Sequence, residues 1–205
     1  MIATLPIFPL SGVLLFPGTY LPLHIFEPRY RLMMDYCLEN DNEIGITSYR
    51  DSNLIEPVFG WGKIIKRDPF PDGRSNIIVN GMGIAKLVRF KTVEPFIIAS
   101  VEKRPNSYQH LHTVEFRTVL LEILNLTKQH LLVSDAGFNS DGSGASAAED
   151  LEKLKKHPFP LDVIASFLRL DMNSKLDILT CEDDYEKAEK LLFYLKNLIT
   201  GGPNA

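Results

Sequence analysis

Short apolar runs broken by proline and glycine open the chain: Leu5-Pro-Ile-Phe-Pro-Leu10, Val13-Leu-Leu-Phe16 and Leu21-Pro-Leu-His-Ile-Phe26. Their lengths are those of strands, and prolines inside such runs confine them to strand ends, edges or bulges, as at the rim of a small barrel. The period then changes. Pro28 stands at a first helical position, and Tyr30, Met33, Met34 and Cys37 recur at helical spacing as far as Asn40, which predicts one amphipathic helix among the strands. Runs of strand length and β-branched content resume at residues 43–49, 58–65, 76–80, 85–90 and 96–101,. Pro71-Asp72-Gly73 predicts a turn between two antiparallel strands, because proline presets the first turn angle and glycine takes the positive φ that follows. Gly81 and Gly83 fall between two of the runs and read as turn glycines. Five or six strands with one inserted helix make a compact barrel-like lobe.

From about residue 110 the pattern is helical. Between Val114 and Val133 stand nine further large apolar side chains with no proline or glycine, the mark of a long helix apolar around most of its circumference and placed in the middle of a bundle. Residues 135–147 are small and polar and predict a flexible loop, since they bury too little to offset ordering. A charged helix then runs to Lys156, His157-Pro-Phe-Pro160 makes a rigid turn, and Ile164, Ala165 and Leu168 share one face of the next helix,. Asn173 or Ser174 can cap a short helix ending at Thr180, and Thr180-x-x-Asp183 reads as a further helix start. The last helix places Tyr185, Ala188, Leu191, Leu192, Leu195 and Ile199 on one stripe before Gly201-Gly202-Pro203 stops it,. The expected chain is α+β, a β-lobe over residues 1–106 followed by a helical bundle over 107–205.

Charge narrows the function. Lys and Arg number 22 against 26 Asp and Glu, a net charge of -4, the wrong sign for a protein whose main work is holding nucleic-acid phosphates. Cys37 and Cys181 form no CxxC pair, so neither a disulfide framework nor a zinc knuckle is indicated; a reducing, cytoplasmic setting is the simplest reading. The apolar start lacks a basic residue before Arg29 and is broken by Pro6, Pro9 and Pro17, unlike a secretory leader. No apolar run of membrane-spanning length occurs.

Chemistry-bearing motifs are sparse. The sequence has no GxxxxGK[ST], no GxSxG and no EF-hand spacing,. His110-Leu-His112 offers two imidazoles but no third ligand nearby, and a solvated pair is the simpler reading. Cys37 falls on the inner stripe of its helix. Cys181 opens the last helix, where Glu182, Asp183 and Asp184 oppose a thiolate,. No catalytic residue, metal or cofactor is therefore expected. Trp61, with Tyr49, Phe59 and Phe70 near it in sequence, fits either a barrel core or an aromatic contact surface. Lys63, Lys66 and Arg67 beside those aromatics leave a single-stranded RNA face as a lesser reading.

Taken together, Leu5-Pro-Ile-Phe-Pro-Leu10, Phe16-Pro-Gly18, Leu21-Pro-Leu-His-Ile-Phe-Glu-Pro-Arg-Tyr-Arg31, Gly45-Ile-Thr, Gly60-x-Gly62, Pro71-Asp-Gly-Arg74, Ile78-Val-Asn-Gly81 and Glu94-Pro-Phe96 resemble the amino-terminal, substrate-binding domain of the Lon proteases, peptidase family S16. Asp162-Val-Ile-Ala165 through Lys175, Leu179 and Asp183 resemble that domain's helical tail. The resemblance implies a PUA-like β-barrel lobe, a helical bundle and recognition of a protein partner or of unstructured polypeptide segments. It departs at Ile84, where the family commonly has an arginine. The ATPase and Ser-Lys peptidase modules of Lon have no counterpart in the sequence, which suggests a stand-alone, non-enzymatic recognition module, with a cryptic hydrolase as the alternative. A β-lobe so rich in apolar side chains is expected to leave some exposed, and the expected contact surface is Tyr30, Trp61 and Phe70 rimmed by Glu27 and Arg29.

Overall fold

The alternation of buried and exposed positions along β1 (Ile2–Pro9) gives way to five consecutive buried residues, Leu5 to Pro9. Such a run fits a strand covered on both faces, and the barrel described next covers it. The structure, a computed structural model, describes residues 2–51, 54–104, 108–134 and 151–200; the loop expected at 135–147 lies outside them. The chain divides into two units, Met1–Asn106 and Ser107–Ala205.

In the first unit β1 is followed by β2 (Tyr20–Ile25), α1 (Pro28–Glu39), β3 (Glu43–Thr47), β4 (Tyr49–Asp51), β5 (Leu54–Ile55), β6 (Val58–Pro69), β7 (Ser75–Thr92) and β8 (Ile97–Arg104). Six strands run in the order β2-β7-β6-β3-β1-β8, and a further β7–β8 pairing closes five of them into a ring. The β1–β3 pair is parallel, with Ile7 opposite Gly45. Ring closure depends on the length of β7. Its first residues, Ser75 to Asn80, pair with β2, and Ile84 to Thr92 pair with β8. Register shifts in β6 and β7 supply the bends that let such long strands curl. Among the described residues, β2 remains an edge strand paired only to β7. Pro22, opposite Ile78, is tolerated there because its missing N–H can face the open side.

The Pro71-Asp72-Gly73 turn forms as read, with Phe70 N–H donating to Arg74 O at 2.8 Å and Gly73 at φ 85°. Two other expectations are corrected together. Residues 76–80 and 85–90 belong to one strand, β7, so Gly81 and Gly83 are strand residues and not turn residues. Residues 13–16 are not a strand but part of an irregular strap across the barrel, with Leu15 and Phe16 fully buried. One fact explains both. A Cβ on Gly60 would overlap the Leu15 carbonyl oxygen, and one on Gly81 would overlap that of Phe16. The strap backbone lies directly on bare strand backbone, tied by Gly18 N–H to Gly81 O at 2.9 Å and Gly81 N–H to Thr19 O at 2.8 Å.

Helix α1 buries Tyr30, Met33, Met34 and Cys37, the four positions its periodicity selects. They join Phe8, Leu15, Ile44, Ile46 and Val79 in the larger core cluster. Leu5, Ile7, Phe59, Ala85 and Val101 form a second cluster.

The second unit contains α2 (Val114–Ser134), helical residues 151–154, α3 (Pro160–Phe167), α4 (Met172–Leu179) and α5 (Asp184–Thr200). The sequence pattern overstated how deeply α2 is buried. Phe116, Leu120, Ile123 and Leu124 are buried, whereas Val114, Leu121 and Leu132 are 76%, 45% and 56% exposed. The cap of α4 is Asp171, and not Asn173 or Ser174, whose amides it accepts at 2.8 and 3.0 Å. Asp183 does the same for the first turn of α5, accepting from Tyr185 and Glu186. In both helices the carboxylate just before the first turn wins, since it accepts two orphan amides and complements the dipole.

A polar group holds these helices in register. Asp162, 0% exposed, accepts from Lys187 Nζ at 2.7 Å and from Tyr108 Oη at 2.6 Å. Burial first, and then the Asp162 charge, push the Tyr108 phenol well above its ordinary range.

Candidate functional site

The start of α1 assembles three of the residues the sequence singles out. Pro28 opens the helix, so Glu27 precedes it and Arg29 and Tyr30 lie on its first turn. Arg29 Nε and Nη2 both donate to Glu27 Oε2 at 3.0 Å, and the guanidinium carbon lies 4.5 Å from the Tyr30 ring centroid. Tyr30 in turn rests on Phe8, with ring centroids 4.3 Å apart. Its phenol is raised, chiefly by burial. The residue is only 6% exposed, so Tyr30 forms a floor and not the projecting contact that was expected.

Two open cavities meet over that floor. One, of about 360 Å³, extends from Arg29 and Tyr30 past Tyr49 to Phe90, Val93 and Phe96. The other, of about 300 Å³, extends from the same Arg29, Tyr30 and Tyr49 toward Ser11, His24 and Phe26. The walls keep large apolar groups in solvent: Phe26, Tyr49, Phe90 and Val93 are all exposed. Phe70 continues the second branch, with its ring 5.9 Å from His24 and Arg74 above it at 5.8 Å. His24 is oriented by Asn76, Nδ1 to Oδ1 at 2.7 Å.

Trp61 is not part of this groove. It is half-buried, packs on the second core cluster and carries Lys103 Nζ over its ring at 3.9 Å, with Lys103 bonded to Glu43. A strand aromatic finds its neighbours through register, and register placed Trp61 opposite Gly45 and Gly83, away from α1. Tyr49, on β4, entered the sequence reading only as a neighbour of Trp61, whereas Phe90, on β7, and Phe96, just before β8, were missed as site residues. The available signal was Phe90, an apolar residue between Arg89 and Lys91 at the solvent-facing end of its strand.

Reactive groups elsewhere are held quiet. Burial pushes the Cys37 thiol up to about 12, and burial also raises Cys181. His110 meets Asp183 and Asp184, not His112, with ligand-type atoms within 4.8 Å of one another. Both oxygens of Asp184 are already used, by the His110 amide at 2.8 Å and Nδ1 at 2.5 Å, and Asp183 caps α5. The hydrogen bond to Asp184 raises the His110 imidazole above its ordinary value. With the folded pKa raised, the stabilisation is fully present below the unfolded value of about 6.5 and is lost as pH rises through the folded pKa. An NMR titration of His110 should show the raised midpoint, and Asp184→Asn should return it toward that of an ordinary histidine.

The class this fold defines is an α+β module: a barrel with one inserted helix and an open aromatic groove, followed in the chain by a helical unit. The family model for the ATP-dependent protease La (LON) substrate-binding domain matches residues 4–197, and the chain belongs to that family. It is 23% identical over 197 residues to the Lon protease of Cytophaga hutchinsonii, covering 93% of this chain and 24% of that protein. It is 22% identical over 201 residues to Lon protease 1 of Bacillus subtilis, covering 95% and 25%. The chain thus spans about a quarter of the length of these relatives. In fold it is similar to the N-terminal domain of Mycobacterium avium complex Lon protease, with TM-score 0.72, 15% identity and coverage of 95% of this chain and 99% of that one. It is likewise similar to a Lon N-terminal domain protein from Xanthomonas campestris, with TM-score 0.68, 18% identity and coverage of 94% and 98%. Among the described residues no helix is long and apolar enough to cross a membrane.

Proposed function

We propose that the chain is a non-enzymatic recognition module that captures unfolded polypeptide, with apolar side chains of the guest entering the groove over Tyr30. The observation that carries this reading is the wall of exposed Phe26, Tyr49 and Phe90 around two joined cavities. Contiguous apolar surface of that kind marks contact sites, and aromatic anchors dominate binding energy at such surfaces. Glu27 and Arg29 form the polar rim, fixed by their own ion pair and so costing little to order on binding. Phe70 extends the aromatic surface. The raised, buried thiols and the absence of a nucleophile motif support binding without turnover, and membership of a protease substrate-binding family supports a polypeptide ligand.

The test is binding of reduced, carboxymethylated lactalbumin by anisotropy. Tyr49→Ala with Phe90→Ala should weaken it roughly thirtyfold or more, the effect of at least one hot-spot truncation at about 2 kcal/mol, while the melting temperature barely moves. Trp61→Ala should do the reverse. Unchanged affinity in the Tyr49/Phe90 variant, or hydrolysis of casein or ATP that a substitution in this chain abolishes, overturns the reading.

A further inference from the structure

The helical unit carries a second surface of different chemistry. Two depressions of about 250 and about 300 Å³ lie along α2 and share Leu121 and Lys155. Their apolar floor is Leu120, Leu124 and Leu151, all buried, with Leu121 45% exposed between them. Their rim is basic: Arg117 and Lys128 on α2, Lys155 and Lys156 just beyond helical residues 151–154. Lys155 is paired with Glu152 at 2.5 Å. Among the described residues, Arg117, Lys128 and Lys156 have no side-chain hydrogen bond or ion pair.

This basic rim stands in an acidic setting, since residues 107–205 carry ten Lys and Arg against fifteen Asp and Glu. Ordinary helix electrostatics explain only part of it. Lysines at a helix C-terminus complement the dipole, which covers Lys155 and Lys156. Arg117 sits in the first turn of α2, where the dipole disfavours a cation, and neither Arg117 nor Lys128 has an acidic residue three or four positions away on its helix,. Arg117, Leu121, Leu124 and Lys128 instead form one stripe, about 16 Å long at the helical rise, with a cation at each end and Leu121 shared by the two depressions.

The geometry points to a docking groove for an acidic amphipathic helix of a partner protein. Two apolar side chains of that helix, one turn apart, fill the depressions beside Leu121, and carboxylates flanking them meet Arg117, Lys128 and Lys156. Helices dock in grooves through anchors at this spacing, and complementary charge selects the partner and fixes its register. The inference is independent of the polypeptide-capture reading, because its residues lie on the other unit.

The test uses the full chain and a fluorescein-labelled helical peptide of roughly fifteen residues, long enough to be helical when bound, with leucines one turn apart flanked by glutamates. Saturable binding should weaken several-fold between low and physiological salt. Arg117→Glu with Lys128→Glu should lower affinity roughly tenfold or more, with the far-UV spectrum and melting temperature unchanged, and should gain affinity for the peptide carrying lysines in place of the glutamates. Lactalbumin binding should be untouched by these substitutions. Four results overturn the proposal: no saturable binding; equal binding by the charge-reversed protein; binding only when residues 138–147 are replaced by a short linker, which gives the groove to the chain's own segment; or self-association abolished by the charge reversals, which gives it to a second copy.

Discussion

Replacing Lys187 with methionine is expected to cost about 3–5 kcal/mol, the usual penalty for leaving one member of a buried ion pair without the other. Asp162 is 0% exposed and Lys187 4% exposed, so water cannot take the place of the lost ammonium. Tyr108 donates the other hydrogen bond to Asp162 but brings no charge. Adding Asp162→Asn should recover much of the loss, because the double variant buries no net charge; urea denaturation of the two singles and the double gives the coupling energy. Tyr108→Phe should cost less, about 1–2 kcal/mol, as a hydrogen bond to a charged group. A single Lys187→Met variant as stable as the parent would show that the pair contributes nothing to the register of α3 against α5.

Gly60→Ala is the second large effect, and it adds only one methyl group. The new Cβ would overlap the Leu15 carbonyl oxygen and sit close to the Leu15 Cβ. Backbone cannot rotate away as a side chain can, so the strap must lift and take Leu15 and Phe16, both fully buried, partly out of the core. Overpacking of this kind costs about 3 kcal/mol at the upper end of its usual range, and thermal unfolding should show a clear fall in Tm. Gly81→Ala meets the Phe16 carbonyl in the same way and should behave alike.

These two effects also mark where sequence reasoning reached its limit. The α1 stripe was legible because helical period is local: Tyr30, Met33, Met34 and Cys37 are all buried for a reason contained within twelve residues. The turn at Pro71–Gly73 was legible because its chemistry is that of four residues. The apolar run Val13-Leu-Leu-Phe16 gives no such guarantee: it has strand composition, yet what decides its conformation is the bare backbone of Gly60 and Gly81, far along the chain. Part of the site divided the same way. Glu27, Arg29 and Tyr30 are neighbours in sequence and stay neighbours in space, whereas Tyr49, Phe90 and Phe96 meet them only after the barrel closes. Trp61 was drawn into the expected surface by its residue type, and the lysine that covers it, Lys103, comes from another strand.

The proline in β2 bears on what kind of receptor the groove can be. Leu23, His24, Ile25 and Phe26 line one branch of it, so a guest lying there runs beside an edge strand. An intact edge would offer it a row of backbone donors and acceptors, and strand addition at such an edge is how ordered aggregates grow. Pro22 removes a donor from the middle of that row. On the capture reading proposed above, a bound chain would be gripped mainly by its side chains, because the edge beside the groove offers an interrupted template for strand addition.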